Sequence, residues 1–264
     1  MAEITASMVK ALREQTGQGM MECKKALQEA NGDMEAASGL LRKRGLAVAE
    51  KKASRQTKEG LIAIAASDDG GSAAMVEVQC ETDFCARNDV FAGMVRKVVS
   101  LAMKAAPGKV ASSSQIEDAV QEALSKIGEN MKYVRGVKIA APRLGTYVHH
   151  NGKVGVLVGV QGDISDQTLS DLCMHVAFAD PVGIATSDIP DEMVAKEKAF
   201  ATEEAMASGK PKDIAEKMVA GKMAKFLAGK ALLEQPFVRD DKKKVKEILG
   251  GAKVVAFARY AVGG

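Results

Sequence analysis

Twice along this chain an apolar pattern of strand period gives way, within a few residues, to one of helical period, and any fold must accommodate both handovers. In the first, Val76, Val78 and Cys80 alternate with Glu77 and Gln79, after which Phe91, Val95, Val98 and Ala102 recur at helical spacing. In the second, Val154, Val156, Val158 and Val160 alternate, and Leu169, Leu172, Cys173 and Val176 follow helically. Val160-Gln161 echoes Val78-Gln79, and the helices run out at Ala106-Pro107 and Asp180-Pro181. The pattern therefore predicts a duplicated module. Copy one opens at Leu61, Ile62 and Ile64, turns at Ser67-Asp68-Asp69-Gly70-Gly71, and closes with a helix over Ile116–Ile127 and a strand over Tyr133–Ile139. Copy two opens at Gly145–His149 and closes at Val254–Tyr260. Each reads strand, strand, helix, helix, strand, so the expected class is α+β with antiparallel sheets and helices on one side, over 60–141 and 142–264.

The copies differ at the handover. Copy two crosses through Gly162-Asp163-Ile164-Ser165, whereas copy one crosses through Thr82-Asp83-Phe84-Cys85, with Asn88 placed to cap the helix that follows. One reading tucks Phe84 under that helix and spends Asp83 on a cap. The other notes that the scaffold closes in copy two without an acid-aromatic pair, which frees the pair for a task. Thr82, Asp83, Phe84 and Cys85 are therefore the leading candidate site.

Residues 1–45 read as three short helices. Ile4, Met8 and Leu12 mark the first, Met20, Cys23, Leu27 and Ala30 the second, Ala37 and Leu41 the third, with breaks at Gly17-Gln18-Gly19 and Asn31-Gly32 and a cap at Asp33. Met20 shares a face with Cys23 and Leu27, while Met21 and Lys24 point elsewhere and suit a surface contact. Residues 46–59 are charged and aperiodic, a linker. Within copy two an insertion over 187–229 carries Met193 and Phe200 one heptad apart, a turn at Ser208-Gly209-Lys210-Pro211, and Val219, Met223 and Phe226. It reads as a projecting antiparallel helical hairpin, a short coiled coil, with too thin an apolar stripe for much private core.

Chemistry of its own is hard to place on this chain. Gly152-Lys153 and Gly221-Lys222 are followed by Val154 and Met223, so no phosphate loop forms, and no dinucleotide fingerprint exists. His149 and His150, adjacent on a strand, are expected on opposite faces, and His175 lacks companions at metal spacing. The expectation is no catalytic residue, no bound metal and no cofactor. Thirty-seven basic against 34 acidic residues leave a net charge of +3, too balanced for a nucleic-acid coat, and Cys23, Cys80, Cys85 and Cys173 fit reduced thiols. Met1-Ala2-Glu3-Ile4-Thr5 lacks the features of a secretory leader and no apolar run approaches a membrane span, so a cytoplasmic protein is expected.

Several longer motifs run in one order along the chain: Thr16-Gly17-Gln18-Gly19-Met20-Met21-Glu22-Cys23-Lys24-Lys25-Ala26-Leu27, Thr82-Asp83-Phe84, Ile127-Gly128-Glu129-Asn130, Tyr147-Val148-His149, Met174-His175-Val176-Ala177 and Gln235-Pro236-Phe237-Val238. In these the chain resembles bacterial translation elongation factor Ts. The resemblance implies a guanine-nucleotide exchange factor for elongation factor Tu, built from a UBA-like three-helix module, a duplicated core and a helical hairpin. It also implies that Thr82, Asp83, Phe84 and Cys85 dislocate the partner's Mg²⁺ and that His149 faces the partner, which binds GDP or GTP; Met20, Met21 and Lys24, together at one helix start, are the expected partner contacts of the helical module. Cys85 and Arg87 stand where the family commonly has valine and lysine, and the chain ends without the extra C-terminal helix of some members. The competing expectation is an RNA-binding or ribosome-associated module resting on the helical head and the basic linker.

Overall fold

The computed structural model describes residues 4–264, and the side chains of all of these except residues 46 and 48–50. Three helices come first, α1 (Ala6–Thr16), α2 (Met20–Glu29) and α3 (Met34–Lys52). Local chemistry sets their ends: Thr5 Oγ1 accepts from Met8 N, Gly17 stops α1 with a left-handed φ of 68°, and Asp33 Oδ1 accepts from Ala36 N at 2.9 Å. Val9, Leu12, Cys23, Ala26, Leu27, Ala37 and Leu41 close a core among them. The expected linker from residue 46 is shorter than the sequence suggests, because α3 continues helical to Lys52. No glycine or proline interrupts 46–52, and α3 lies against α6 (Ser114–Ile127), where tertiary contact sustains what local pattern does not announce. Gln121 Nε2 donates to the Gly45 carbonyl at 2.9 Å, Arg42 pairs with Asp118 at 3.3 Å, and Lys52 Nζ donates to the Gly128 carbonyl. Only residues 53–58 remain as a connection.

The chain then forms β1 (Glu59–Ala66), β2 (Ser72–Cys80), α4 (Asp83–Ala86), α5 (Asp89–Ala102), β3 (Gly108–Val110), α6 and β4 (Met131–Ala140), with sheet order β1-β2-β4-β3. Asn88 Oδ1 accepts from Val90 N at 2.8 Å and so caps α5. Because β2 is an inner strand buried from Ala73 to Val78, the alternation that predicts a polar outer face fails at Glu77, which is fully buried. Its carboxylate is nevertheless satisfied, accepting from Arg135 Nε at 2.7 Å, Gln79 Nε2 at 2.8 Å and Gly263 N at 3.1 Å.

The elements group into two compact units. The first draws on the chain up to Ala65, on Met75–Val137 and on Ala261–Gly264; the second draws on Ala66–Ala74 and Lys138–Tyr260. In the second, β5 (Arg143–Val148) pairs antiparallel with β6 (Val154–Gln161), α7 (Asp166–Ala179) follows, and β9 (Lys253–Ala261) completes a sheet of order β5-β6-β9. Val156, Val158, Val160, Leu169, Leu172, Cys173, Val176 and Leu232 make its core, and burial pushes the Cys173 thiol up to about 12. Between α7 and β9 run α8 (Asp191–Ala207), α9 (Lys212–Lys230), the short pair β7 (Pro236–Phe237) and β8 (Asp240–Lys244), and α10 (Val245–Ile248).

Helices α8 and α9 pack together, but not along the line the sequence suggests. Ala201 and Ala205 are buried at 1% exposure, whereas Phe200 and Met206 are exposed. Small side chains let the helices approach closely, so alanine takes the seam and the large residues are turned out. A polar lock stands at the root of this hairpin. His175 Nδ1 accepts from Val238 N at 3.2 Å, which leaves Nε2–H to donate to Gln235 Oε1 at 2.9 Å, while Gln235 Nε2 donates to the Gly229 carbonyl at 2.7 Å. Burial holds the His175 imidazole below its usual titration range, so the neutral ring is the form that fits.

Candidate functional site

Between β2 and α5 the backbone makes one helical turn, α4, where the sequence suggests an open loop. Thr82 is its cap: extended at φ −126° and ψ 157°, it accepts from Cys85 N on Oγ1 at 3.2 Å. The same hydroxyl donates to Glu129 Oε1 at 2.8 Å, and Thr82 N donates to Glu129 Oε2 at 3.1 Å. Cys85 and Ala86 are buried and anchor the inner side of the turn. Cys80 and Cys85 lie thiol to thiol, and that contact together with burial pushes the Cys80 thiol far above its usual range. Both sulfurs are packing groups rather than nucleophiles.

With Cys85 inward, Phe84 faces outward, 81% exposed. The reading that tucks this ring under the following helix is thereby excluded. A phenylalanine so placed contributes nothing to the core and holds roughly 1.5–3 kcal/mol of apolar burial still to be realised. Asp83 is half-buried and pairs with exposed Arg87 at 3.0 Å, a surface pair that costs little to open. The strand-to-helix crossing from β6 to α7 does the opposite: Gly162 takes φ 99°, Ser165 caps α7 by accepting from Thr168 N at 3.1 Å, and Ile164 is buried at 5% exposure. One crossing presents its apolar side chain and the other buries it.

The remaining candidates fall on both units. Met20 and Met21 open α2 at 54% and 63% exposure, and Lys24 one turn on is exposed as well. Met20 escapes the core despite sharing a helical face with Cys23 and Leu27, because it occupies the first position of the helix. His149 belongs to the second unit. It lies just past the end of β5 in the turn to β6, where His149 N donates to the Val154 carbonyl at 2.8 Å and Gly152 N to the His149 carbonyl at 2.7 Å. The expected placement of His149 and His150 on opposite faces of a strand does not hold, since the rings stand 4.3 Å apart. A hydrogen bond of 2.7 Å between Tyr147 Oη and His149 Nδ1 fixes the His149 ring. Among the described residues no group of three or more His, Cys, Asp or Glu could hold a metal ion, and no helix is long and apolar enough to cross a membrane.

Sequence reasoning gave Glu129, Glu81 and Arg87 no part at this turn, where they are its polar neighbours. Asp83 and Arg87 are four apart on what proves to be helix, so that pair was readable once a turn was drawn. Glu129 is 47 residues from Thr82, and no local signal joins them.

A family model described as Elongation factor TS matches residues 81–264, beginning one residue before the cap of α4. The elongation factor Ts of Thioalkalivibrio sulfidiphilus is 44% identical over 98% of this chain and 92% of its own length. That of Hahella chejuensis is 45% identical over 100% and 93%, and that of Aquifex aeolicus 39% identical over 97% of both. With a matched family model over most of its length and relatives this similar from end to end, the chain belongs to the elongation factor Ts family.

Proposed function

We propose that this chain is a guanine-nucleotide exchange factor of translation elongation, working in the cytoplasm on elongation factor Tu. The observation that carries this reading is the outward Phe84 on a capped turn, in a chain whose family is named for the factor. A GTPase holds GDP through Mg²⁺ that bridges phosphate oxygens and through backbone amides that cradle them. A protein that releases GDP must bind an arrangement of its partner in which that coordination is lost. Phe84 supplies apolar burial available only in that opened arrangement, which is how binding energy becomes acceleration rather than mere affinity. Asp83, released from Arg87, competes for the partner groups that order the metal shell. Thr82 and Cys85 shape the turn; Met20, Met21, Lys24 and His149 hold the partner in register. The factor has no chemical active site and no cofactor, and neither nucleic acid nor membrane is its ligand.

We also read residues 1–45 as a UBA-like docking module and residues 60–141 and 142–264 as copies of one ββααβ motif. In each, two neighbouring strands are followed by a helix and a later strand joins the same sheet, β4 beside β2 and β9 beside β6, which supports that reading.

Coupling between nucleotide and factor is reciprocal, so whatever the factor does to GDP affinity, GDP does to factor affinity. The chain should therefore co-elute with nucleotide-free elongation factor Tu on gel filtration and be dissociated by added GDP or GTP. Co-elution unaffected by nucleotide contradicts the reading, and salt-sensitive retention on immobilised RNA without any complex supports an RNA-binding module instead.

A further inference from the structure

We propose that Glu129 is the positioning residue that holds the Phe84 turn in its presenting form, an inference that rests on the exchange reading above. Helix α4 is a single turn of four residues, too short to persist on its own hydrogen bonds. Its stability must come from outside, and the structure shows the source. A hydroxyl has one proton to give. Thr82 gives it to Glu129 Oε1, at 2.8 Å, so a lone pair of Oγ1 is directed at Cys85 N, 3.2 Å away. Glu129 Oε2 takes the Thr82 amide at 3.1 Å. The carboxylate thus meets two donors of one residue at once, a charge-assisted pair that fixes both backbone and side chain of the cap.

Glu129 is itself held from behind. It follows the left-handed C-cap Gly128, whose carbonyl accepts from Lys52 Nζ at the end of α3. The next residue repeats the exchange in the other direction: Asn130 N donates to Glu81 Oε1 at 2.6 Å, and Asn130 Nδ2 donates to the Arg55 carbonyl at 2.8 Å. Arg55 closes the clamp on Glu81 at 3.4 Å. Two carboxylates, Glu81 and Glu129, therefore cross-stitch the residues before α4 to the residues before β4. An amide at 129 keeps the size but loses the charge: its oxygen can take the Thr82 amide while its N–H turns on Oγ1, which then accepts there instead of donating.

The test uses the full chain with Glu129→Ala, Glu129→Gln and the double variant with Phe84→Ala, read by GDP release from elongation factor Tu and by hydrogen exchange of the Cys85 amide. Glu129→Ala should slow assisted release about tenfold, the size of one charge-assisted hydrogen bond, and expose the Cys85 amide to exchange. If Glu129 acts through the turn, Glu129→Ala combined with Phe84→Ala is no slower than Phe84→Ala alone. Slowing that multiplies in the double variant overturns the proposal, as does parental release by Glu129→Ala. Should Glu129→Ala lower the melting temperature strongly, Glu129→Gln carries the test, since it loses the charge and keeps the size: slower release and weaker protection of the Cys85 amide are expected at parental stability, and parental values of both overturn the proposal. Failure of the parent chain to accelerate GDP release would reject the exchange reading, while Cys85 protection still decides whether Glu129 holds the turn.

Discussion

Replacing Phe84 with alanine separates the two jobs a large apolar residue can have. In the free chain the ring is 81% exposed, so its removal takes almost nothing from the core, and stability should change by no more than about 0.5 kcal/mol. In the complex that four-fifths of the ring is available for burial. Full burial of a phenylalanine is worth roughly 1.5–3 kcal/mol, or about ten- to a hundredfold in a rate if it is realised only as the partner opens. The assay is release of fluorescent GDP from elongation factor Tu at saturating factor, with Mg²⁺ present and with Mg²⁺ chelated. Phe84→Ala should lose about ten- to a hundredfold of the acceleration with Mg²⁺ present, and much less once chelation has removed the coordination that we propose the turn disturbs. Asp163→Ala, at the crossing from β6 to α7, is the control and should leave release unchanged. If Phe84→Ala exchanges like the parent in both conditions, α4 is a connecting turn and the argument built on it fails.

Two further predictions concern the second unit. His175 titrates below its ordinary 6.5 because burial disfavours the imidazolium, so above that pH both folded and unfolded chains hold it neutral and its contribution is complete. Below 6.5 the unfolded chain takes up a proton that the folded one resists, and stability falls by up to about 1.4 kcal/mol per pH unit until the folded value is passed. Melting scans at pH 7.5 and 5.5 should show that loss, and His175→Ala, less stable at both, should lack this part of the slope; equal slopes refute the assignment. At Gly145 an added Cβ would lie 2.5 Å from Cys173 Sγ and 2.9 Å from Leu169 Cδ1, so Gly145→Ala should cost about 1–3 kcal/mol. Gly221→Ala, inside α9 with nothing within 4 Å, should instead gain about 0.5–1 kcal/mol, and calorimetry on the pair checks both signs.

What the sequence made legible was whatever its periodicity encodes locally. Val156, Val158 and Val160, with Leu169, Leu172 and Cys173 after them, announced a strand and a helix, and the same residues fill a core. Asn88 and Asp33 announced caps, and both accept the expected amides. Elements fixed by distant contacts were illegible. Glu77 reads as an outward position until Arg135, 58 residues on, and Gly263, 186 residues on, supply its partners. Helix α3 outlasts its apolar pattern because α6 supports it, and the α8–α9 seam falls on alanines because close approach rewards small side chains. At the candidate site, the identity of Phe84 was readable and its outward direction was not. Direction goes with the burial of Cys85, and the turn is tied through Thr82 to Glu129, both facts of tertiary structure.

Whether this chain drives GDP from elongation factor Tu is decided by a stopped-flow series. Elongation factor Tu loaded with fluorescent GDP, in Mg²⁺ and excess unlabelled GDP, is mixed with the chain over a range of concentrations. The release rate should climb with factor concentration and saturate, well above the unassisted rate, because opening of the metal site limits release and the factor stabilises the opened form. A release rate equal to the unassisted one at every concentration would contradict it.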